Sequence, residues 1–235
     1  VVAKTIELPN IKKSFLPDIG MTIGDFDLKG ADAQVVAWEA NDRSLMDFFI
    51  DGTQNIHDFN SAMMGCARPE AKAGCHLTNY NGKPKTLSVT TGMTLERSIW
   101  FQDTWFELHP GIKEWHERTW HNLQTKRRVE NRFGYGVTYY DKITDPMLSE
   151  ALAWIPQSTV GLIISKALIR VVKTMPWVHP LLQVHDSLVL QWPTARDEEA
   201  VEGILECMRV PVPYPEPLII PASYKLSRLN LGECK

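Results

Sequence analysis

The 235 residues carry 44% apolar side chains, enough to bury a sizeable core as one large domain or as a body bearing a subdomain. No apolar run approaches the ~18 residues of a membrane span and no charged-then-apolar leader is present, so a soluble, cytoplasmic protein with no membrane partner is expected. The formal net charge of −3 argues against wholesale coating of nucleic acid, yet leaves room for a local basic groove beside an acidic metal site.

The chain opens on VVAKTIELPNIKKSFLPDIG, a mixed apolar and basic lead-in with two prolines and no strong period. Residues 21–27 read as a strand ending on the acidic cluster Asp25-Phe26-Asp27, and a turn and helix follow, with apolar positions at Val35, Val36, Leu45, Phe48 and Phe49. A carboxylate at the end of a core strand is well placed for catalysis; the plain alternative is a solvated strand end. Further on, Arg68, Lys72, His76 and Tyr80 recur at intervals of four, which in a helix share one broad face. Pro69 suits the first turn of that helix, whereas Gly74, Asn79 and Asn81 work against an unbroken one. Two cations, an imidazole and a phenol in that order suit a nucleotide lying along the helix, with Arg68 and Lys72 on its phosphates and His76 and Tyr80 on its sugar and base. An ordinary solvated face remains the other reading.

Residues 94–123 are aromatic and amphipathic, two helices broken at Pro110-Gly111. Trp100, Trp105, Phe106, Trp115 and Trp120 are candidates for base stacking, although aromatics at helical spacing more often form core. Lys126, Arg127, Arg128 and Arg132 then make a basic run suited to a phosphate backbone or to a solvated loop. Residues 145–172 read as a helix, with Gln157 as a side-chain donor and acceptor at the mouth of its apolar half. Residues 181–193, LLQVHDSLVLQWP, are two apolar runs around His185-Asp186-Ser187: strand, tight turn, strand, with Asp186 at the tip. Asp is a common turn former, so Asp186 gains weight only from a second carboxylate in a matching context, Asp27. An acidic amphipathic helix at 194–208 and a proline-rich close ending in strand and tail complete the chain. Cys66, Cys75, Cys207 and Cys234 show no CxxC spacing, which argues against a zinc site or a disulfide framework.

These residues together resemble the polymerase core of family A DNA polymerases, particularly the phage-like branch. The run from Asp27 to Asp32 resembles the first palm motif, whose opening Asp binds metal and whose acidic residue five places on closes the sugar pocket. The spacing of Arg68, Lys72 and Tyr80 matches the fingers helix that grips the incoming nucleotide. Pro156-Gln157-Ser158-Thr159 resembles the segment whose Gln lies near the primer terminus, and Val184-His185-Asp186 resembles the last palm motif. Four motifs stand in the family's order.

The resemblance implies an α+β fold: a palm of antiparallel strands backed by helices, from residues 1–41 and 134–235, with a helical fingers subdomain at 42–133. It implies template-directed DNA synthesis by two-metal nucleotidyl transfer from dNTP to a primer 3′-hydroxyl. Asp27 and Asp186 would hold two Mg²⁺ ions, and Lys72 would offset triphosphate charge and donate a proton to the leaving group. Arg68, His76, Tyr80 and Asp32 would bind nucleotide, while Gln157, His185, Arg128 and Arg132 would meet primer-template. Departures from the usual pattern are Ser187 in place of a second acid, Asp32 in place of the longer Glu, His76 in place of Phe or Tyr, and Asn81 in place of Gly. The chain is expected to lack the family's thumb and any proofreading or 5′-nuclease domain. A fragment or subunit completed by a thumb-bearing or exonuclease-bearing segment is therefore expected, with an exposed apolar surface near the first ~20 residues. A related single-subunit RNA polymerase, disfavoured by the acidic Asp32, and a non-catalytic nucleic-acid-binding module, disfavoured by the two aspartates, stay open. An HD-type phosphohydrolase would need further His ligands.

Overall fold

A computed structural model describes residues 10–234. In chain order the elements are β1 (Met21–Leu28), α1 (Ala31–Ala40), α2 (Arg43–Asp51), α3 (Ile56–Met64), α4 (Arg68–Asn79), α5 (Pro84–Thr91), α6 (Leu95–Leu108), α7 (Pro110–Lys126), β2 (Arg128–Glu130), β3 (Gly136–Thr138), α8 (Asp145–Thr174), β4 (His179–Val184), β5 (Ser187–Pro193), α9 (Asp197–Met208) and β6 (Ala222–Ser227). Packing divides them into two compact units. One holds the described residues up to 29 together with 161–211 and those from 219 onward; the other holds 30–160 and 212–218. The motif boundaries at 41 and 133 both fall inside the second unit, because α1 packs on α7 and the Arg118 guanidinium donates to the Glu39 carbonyl at 2.7 Å.

The first unit is built on a four-stranded antiparallel sheet in the order β4-β5-β1-β6, the palm-type sheet backed by helices that the family resemblance implies. Alternation along β1 sends Thr22, Phe26 and Leu28 to one face and Ile23, Asp25 and Asp27 to the other. On the first face the Phe26 ring lies 5.9 Å from both the Trp192 and the Tyr224 rings. A Cβ on Gly24 would stand 2.5 Å from the Trp192 ring, so a glycine here lets the indole cross the strand. On the opposite face Ile23 packs with Val189 and Leu231. The acidic helix expected at 194–208 begins with a 3-10 turn at Thr194–Arg196 and becomes α-helical at Asp197. Asp197 accepts from Trp192 Nε1 at 2.9 Å and from Arg228 at 3.0 Å, which fixes the helix start against β5. Among the described residues near the start of the chain, Ile11, Leu16 and Ile19 are exposed; residues 1–9 of that stretch lie outside the described residues.

The second unit is helical, with the short β2–β3 hairpin attached. The aromatic stretch resolves mainly into core: Phe101, Trp105 and Trp115 are buried, Phe106 and Trp120 are half-buried, and Trp100 is exposed beneath the Arg97 guanidinium at 3.9 Å. The break between α6 and α7 falls at His109, which is buried against Asp42 and Ser44. Gly74 does not break α4. Its missing Cβ would lie 2.5 Å from the Phe101 ring, so the glycine is what allows α4 to pack closely on α6. Asn79 accepts from Trp105 Nε1 at 2.9 Å and its carbonyl meets His116 Nε2 at 2.7 Å, tying the helix end to α6 and α7. The 30-residue α8 is, among the described residues, the one helix long and apolar enough to cross a membrane. Its Leu152, Ile155, Ile163, Ile164 and Val171 are buried, the pattern of a core helix.

Candidate active site

The carboxylates of the first unit are positioned by strand pairing. Asp27 is the penultimate residue of β1 and stands in register with Ser187, the first residue of β5. Asp186 precedes Ser187 in the two-residue turn that joins β4 to β5, with Val184 and Ser187 paired across its base. Two bonds hold that turn: the Leu28 N–H donates to the Asp186 carbonyl at 3.1 Å, and Ser187 Oγ donates to the Val184 carbonyl at 3.1 Å. His185 takes φ of 52°, a region usually left to glycine in such turns, at a cost of about 1 kcal/mol or more. The hairpin thus holds its aspartate beside the end of β1 despite backbone strain.

Asp27 is exposed at its strand end, yet its carboxyl is pushed up to about 6. Partial burial is the largest cause, followed by the like charges of Asp186 and Asp25; Lys12 and Lys225 oppose them. The like charges are the part of that shift that a bound cation would neutralise. Asp25 was part of the acidic cluster in the sequence but not singled out. The i, i+2 spacing that puts it on the face of Asp27 was legible there. One of its oxygens lies 3.6 Å from Lys12 Nζ, and the other is buried without a partner among the described residues.

An all-oxygen pair of mutually repelling carboxylates suits a hard divalent cation that completes its shell with water and phosphate oxygens. Among the described residues no group of three or more His, Cys, Asp or Glu side chains forms a metal site, so the protein would contribute chiefly two carboxylates. A testable sign follows from the titration. Folding raises the Asp27 pKa, so this group's contribution to stability is greatest at low pH and is lost as pH rises through about 6. A bound divalent cation reverses that loss by favouring the ionised form. The rise in Tm on adding Mn²⁺ should therefore be large at neutral pH and vanish by about pH 5. Equal shifts at both would contradict a site centred on Asp27.

In the second unit α4 runs from Arg68, with Pro69 in its first turn and the Ala67 N–H donating to Glu70 at 3.1 Å. Arg68, Lys72 and His76 are exposed along it, and Tyr80 is buried at its C-cap. Arg68 is paired with Asp58 at 2.7 Å, whereas Lys72 has no ion pair among the described residues. His57 on α3 reports the local field: burial, then the positive charges of Lys72 and Arg68, hold its imidazole below the usual range. Nothing in the sequence marked His57. At the far end of α4 the Tyr80 hydroxyl donates to the Asp32 carboxylate in a short hydrogen bond, and His76 Nδ1 lies 3.6 Å from the same group. The His76 and Tyr80 rings meet edge to face at 4.8 Å. Burial first, and then the charge and hydrogen bond of Asp32, push the Tyr80 phenol well above its ordinary range. The structure thus joins Asp32, His76 and Tyr80 across 48 residues of sequence.

The remaining predicted residues are placed less simply. Gln157 is exposed one residue after Pro156, inside α8. His185 is exposed in the β4–β5 turn. Arg128 pairs with Glu130 at 2.6 Å, and Arg132 pairs with the buried Glu39 at 3.1 Å, which also accepts from Tyr214 at 2.9 Å. Arg127 is committed to the backbone, donating to the carbonyls of Tyr139, Tyr140 and Asp141 at 3.4, 2.9 and 3.1 Å. Lys12 and Lys13 pair with Asp25 and Glu233. Most of the basic residues that spacing offered as phosphate contacts therefore already hold an acidic or carbonyl partner.

An antiparallel sheet with paired carboxylates at one end, joined in sequence to a helical unit bearing a cationic helix face, is the construction of the nucleotide-polymerising class. The chain belongs to DNA polymerase family A, whose pattern matches residues 1–225. It is 26% identical over 225 residues to a thermostable DNA polymerase I of Thermus filiformis, an alignment covering 88% of this chain and 27% of the relative. It is 21% identical over 203 residues to a DNA polymerase of Mycobacterium phage L5, covering 85% of this chain and 33% of that protein. Among solved structures, the POL domain of Pol1 from M. smegmatis, in complex with DNA primer-template and dNTP, superposes with a TM-score of 0.83 over 95% of this chain and 42% of its own, at 18% identity. The chain thus spans about a third or less of these two relatives' length.

Proposed function

We propose that this chain is the palm and fingers portion of a phage-like DNA polymerase, extending a primer 3′-hydroxyl with dNTP under template direction. The observation that carries the reading is the pair Asp27 and Asp186, held at one end of neighbouring strands, with partial burial and then like charge raising the Asp27 pKa. When bound, two Mg²⁺ ions would lower the pKa of the primer hydroxyl and neutralise charge on the leaving pyrophosphate. Asp27 and Asp186 would hold them. The 3′-hydroxyl would lose its proton to water and its oxygen would bond to the α-phosphorus as the α–β bridge breaks, and Lys72, exposed and unpaired among the described residues, would stabilise the triphosphate and give a proton to pyrophosphate. Arg68 would exchange Asp58 for phosphate oxygens. The Asp32, Tyr80 and His76 cluster would close on the sugar and exclude a ribose 2′-hydroxyl, while Gln157, His185, Arg128 and the free donors of Arg132 would meet primer-template. Residues 1–41 and 134–235 would act as palm and 42–133 as fingers, with a separate thumb-bearing or exonuclease-bearing segment supplying further grip on the duplex.

Primer extension at low salt tests this. Excess purified chain should add dNTP to a primed template only with Mg²⁺ present, and should add rNTP markedly more slowly. No Mg²⁺-dependent dNTP incorporation, or equal use of rNTP, would overturn the reading.

A further inference from the structure

The β2–β3 hairpin displays an aromatic ring that stability does not explain. Asn131, only 4% exposed, fixes the turn: its side-chain oxygen accepts from the N–H groups of Phe133 and Tyr135 at 3.0 and 3.2 Å, and its amide donates to Ser158 Oγ on α8 at 3.0 Å. Its backbone N–H and carbonyl also bond within the turn, to the Tyr135 carbonyl at 2.8 Å and the Gly134 N–H at 2.9 Å. On this fixed support Tyr135 is 58% exposed and stacks on Trp154 of α8, with ring centroids 5.8 Å apart and planes 24° from parallel. A second tyrosine, Tyr140, is 87% exposed on backbone whose carbonyls are clamped by Arg127. Burial accounts for neither ring, since each leaves most of its area in water.

The charge around them is unlike that of the whole chain. Residues 126–142 contain Lys126, Arg127, Arg128, Arg132 and Lys142 against Glu130 and Asp141, five cations to two carboxylates, in a protein of net charge −3. Arg127, Arg128 and Arg132 are engaged internally, but Lys126 and Lys142, one on each side of the hairpin, are exposed and have no ion pair among the described residues. Exposed flat rings on rigid backbone, flanked by uncommitted cations, are the elements that bind unpaired nucleotides: base faces stack on aromatics while phosphates meet the lysines. A peptide partner would gain from the rings but not from the excess positive charge.

We propose that the β2–β3 hairpin is a platform for single-stranded nucleic acid, with an unpaired base stacking on Tyr135 and the backbone phosphates meeting Lys126 and Lys142. This deepens the primer-template contact proposed above for Arg128 and Arg132 on the same hairpin, and does not depend on the metal pair.

The test is a fluorescence-anisotropy titration of labelled oligo(dT) of about 12 nucleotides, run without divalent cation or dNTP so that its outcome is independent of Asp27 and Asp186. Tyr135→Ala should weaken binding about fivefold or more, and Tyr135→Phe, which keeps the ring face, should stay near wild type. The double variant Lys126→Gln and Lys142→Gln should bind more weakly with a flatter dependence on salt. Circular dichroism melts of each variant separate loss of binding from loss of fold. Absence of oligo(dT) binding by the wild type, a Tyr135→Ala variant within twofold of it, or a Tyr135→Phe variant as weak as Tyr135→Ala would overturn the proposal. If primer extension fails while binding still depends on Tyr135, the platform stands and the polymerase reading falls; the converse pattern removes the platform alone.

Discussion

Replacing Asp27 or Asp186 with Ala should reduce primer extension by about 10³-fold or more, because each would remove an oxygen ligand from the proposed two-carboxylate site. The accompanying stability change separates this from a folding defect. Asp186 is bonded to β1 through its backbone carbonyl, which Ala retains, and its carboxylate repels that of Asp27. Asp186→Ala should therefore bring the Asp27 pKa down and leave Tm unchanged or raised in the absence of divalent cation. Asp27 is exposed and on the same strand face as Asp25, so Asp27→Ala should be similarly benign. A variant that keeps near-normal turnover, or one that loses activity only in step with a fall in Tm, would show that these aspartates serve the sheet rather than the reaction.

The second large effect is expected at Lys72. Arg68 already has Asp58 at 2.7 Å and must give up that partner to meet a triphosphate, whereas Lys72 is uncommitted among the described residues. A charge-assisted contact that strengthens as negative charge builds on the leaving pyrophosphate acts mainly in the transition state. Lys72→Ala should then lower kcat by about 10²-fold or more, with a smaller rise in KM for dNTP. Arg68→Ala should fall mostly on KM. Single-turnover extension measures both; equal, small effects at the two positions would return α4 to an ordinary solvated face.

What could be read from the sequence divides along physical lines. Short-range patterns were sufficient for β1, for the hairpin around Asp186 and for α4, since strand alternation, turn chemistry and helical spacing are local. Asp27 and Asp186 were paired from their sequence contexts and given a metal-binding role by resemblance, but their register, Asp27 opposite Ser187, depends on β1 and β5 pairing across 160 residues of chain. Gly74 looked like a weak point because propensity counts only the helix itself; the reason for it, the Phe101 ring, lies on another helix. The basic run was legible only in part. Spacing shows that Arg127, Arg128 and Arg132 are cations, but not that carbonyls, Glu130 and Glu39 already engage them. Tyr135 was passed over because it lies in a short turn with no period, and its stacking partner, Trp154, lies on another element.

The central claim, that Asp27 and Asp186 together form a divalent-cation site, is tested most directly by counting bound Mn²⁺ with electron paramagnetic resonance at neutral pH. The account predicts that the wild-type chain takes up Mn²⁺ and that Asp27→Asn and Asp186→Asn each lose most of that binding while remaining folded. Mn²⁺ uptake equal to wild type in both variants would contradict it.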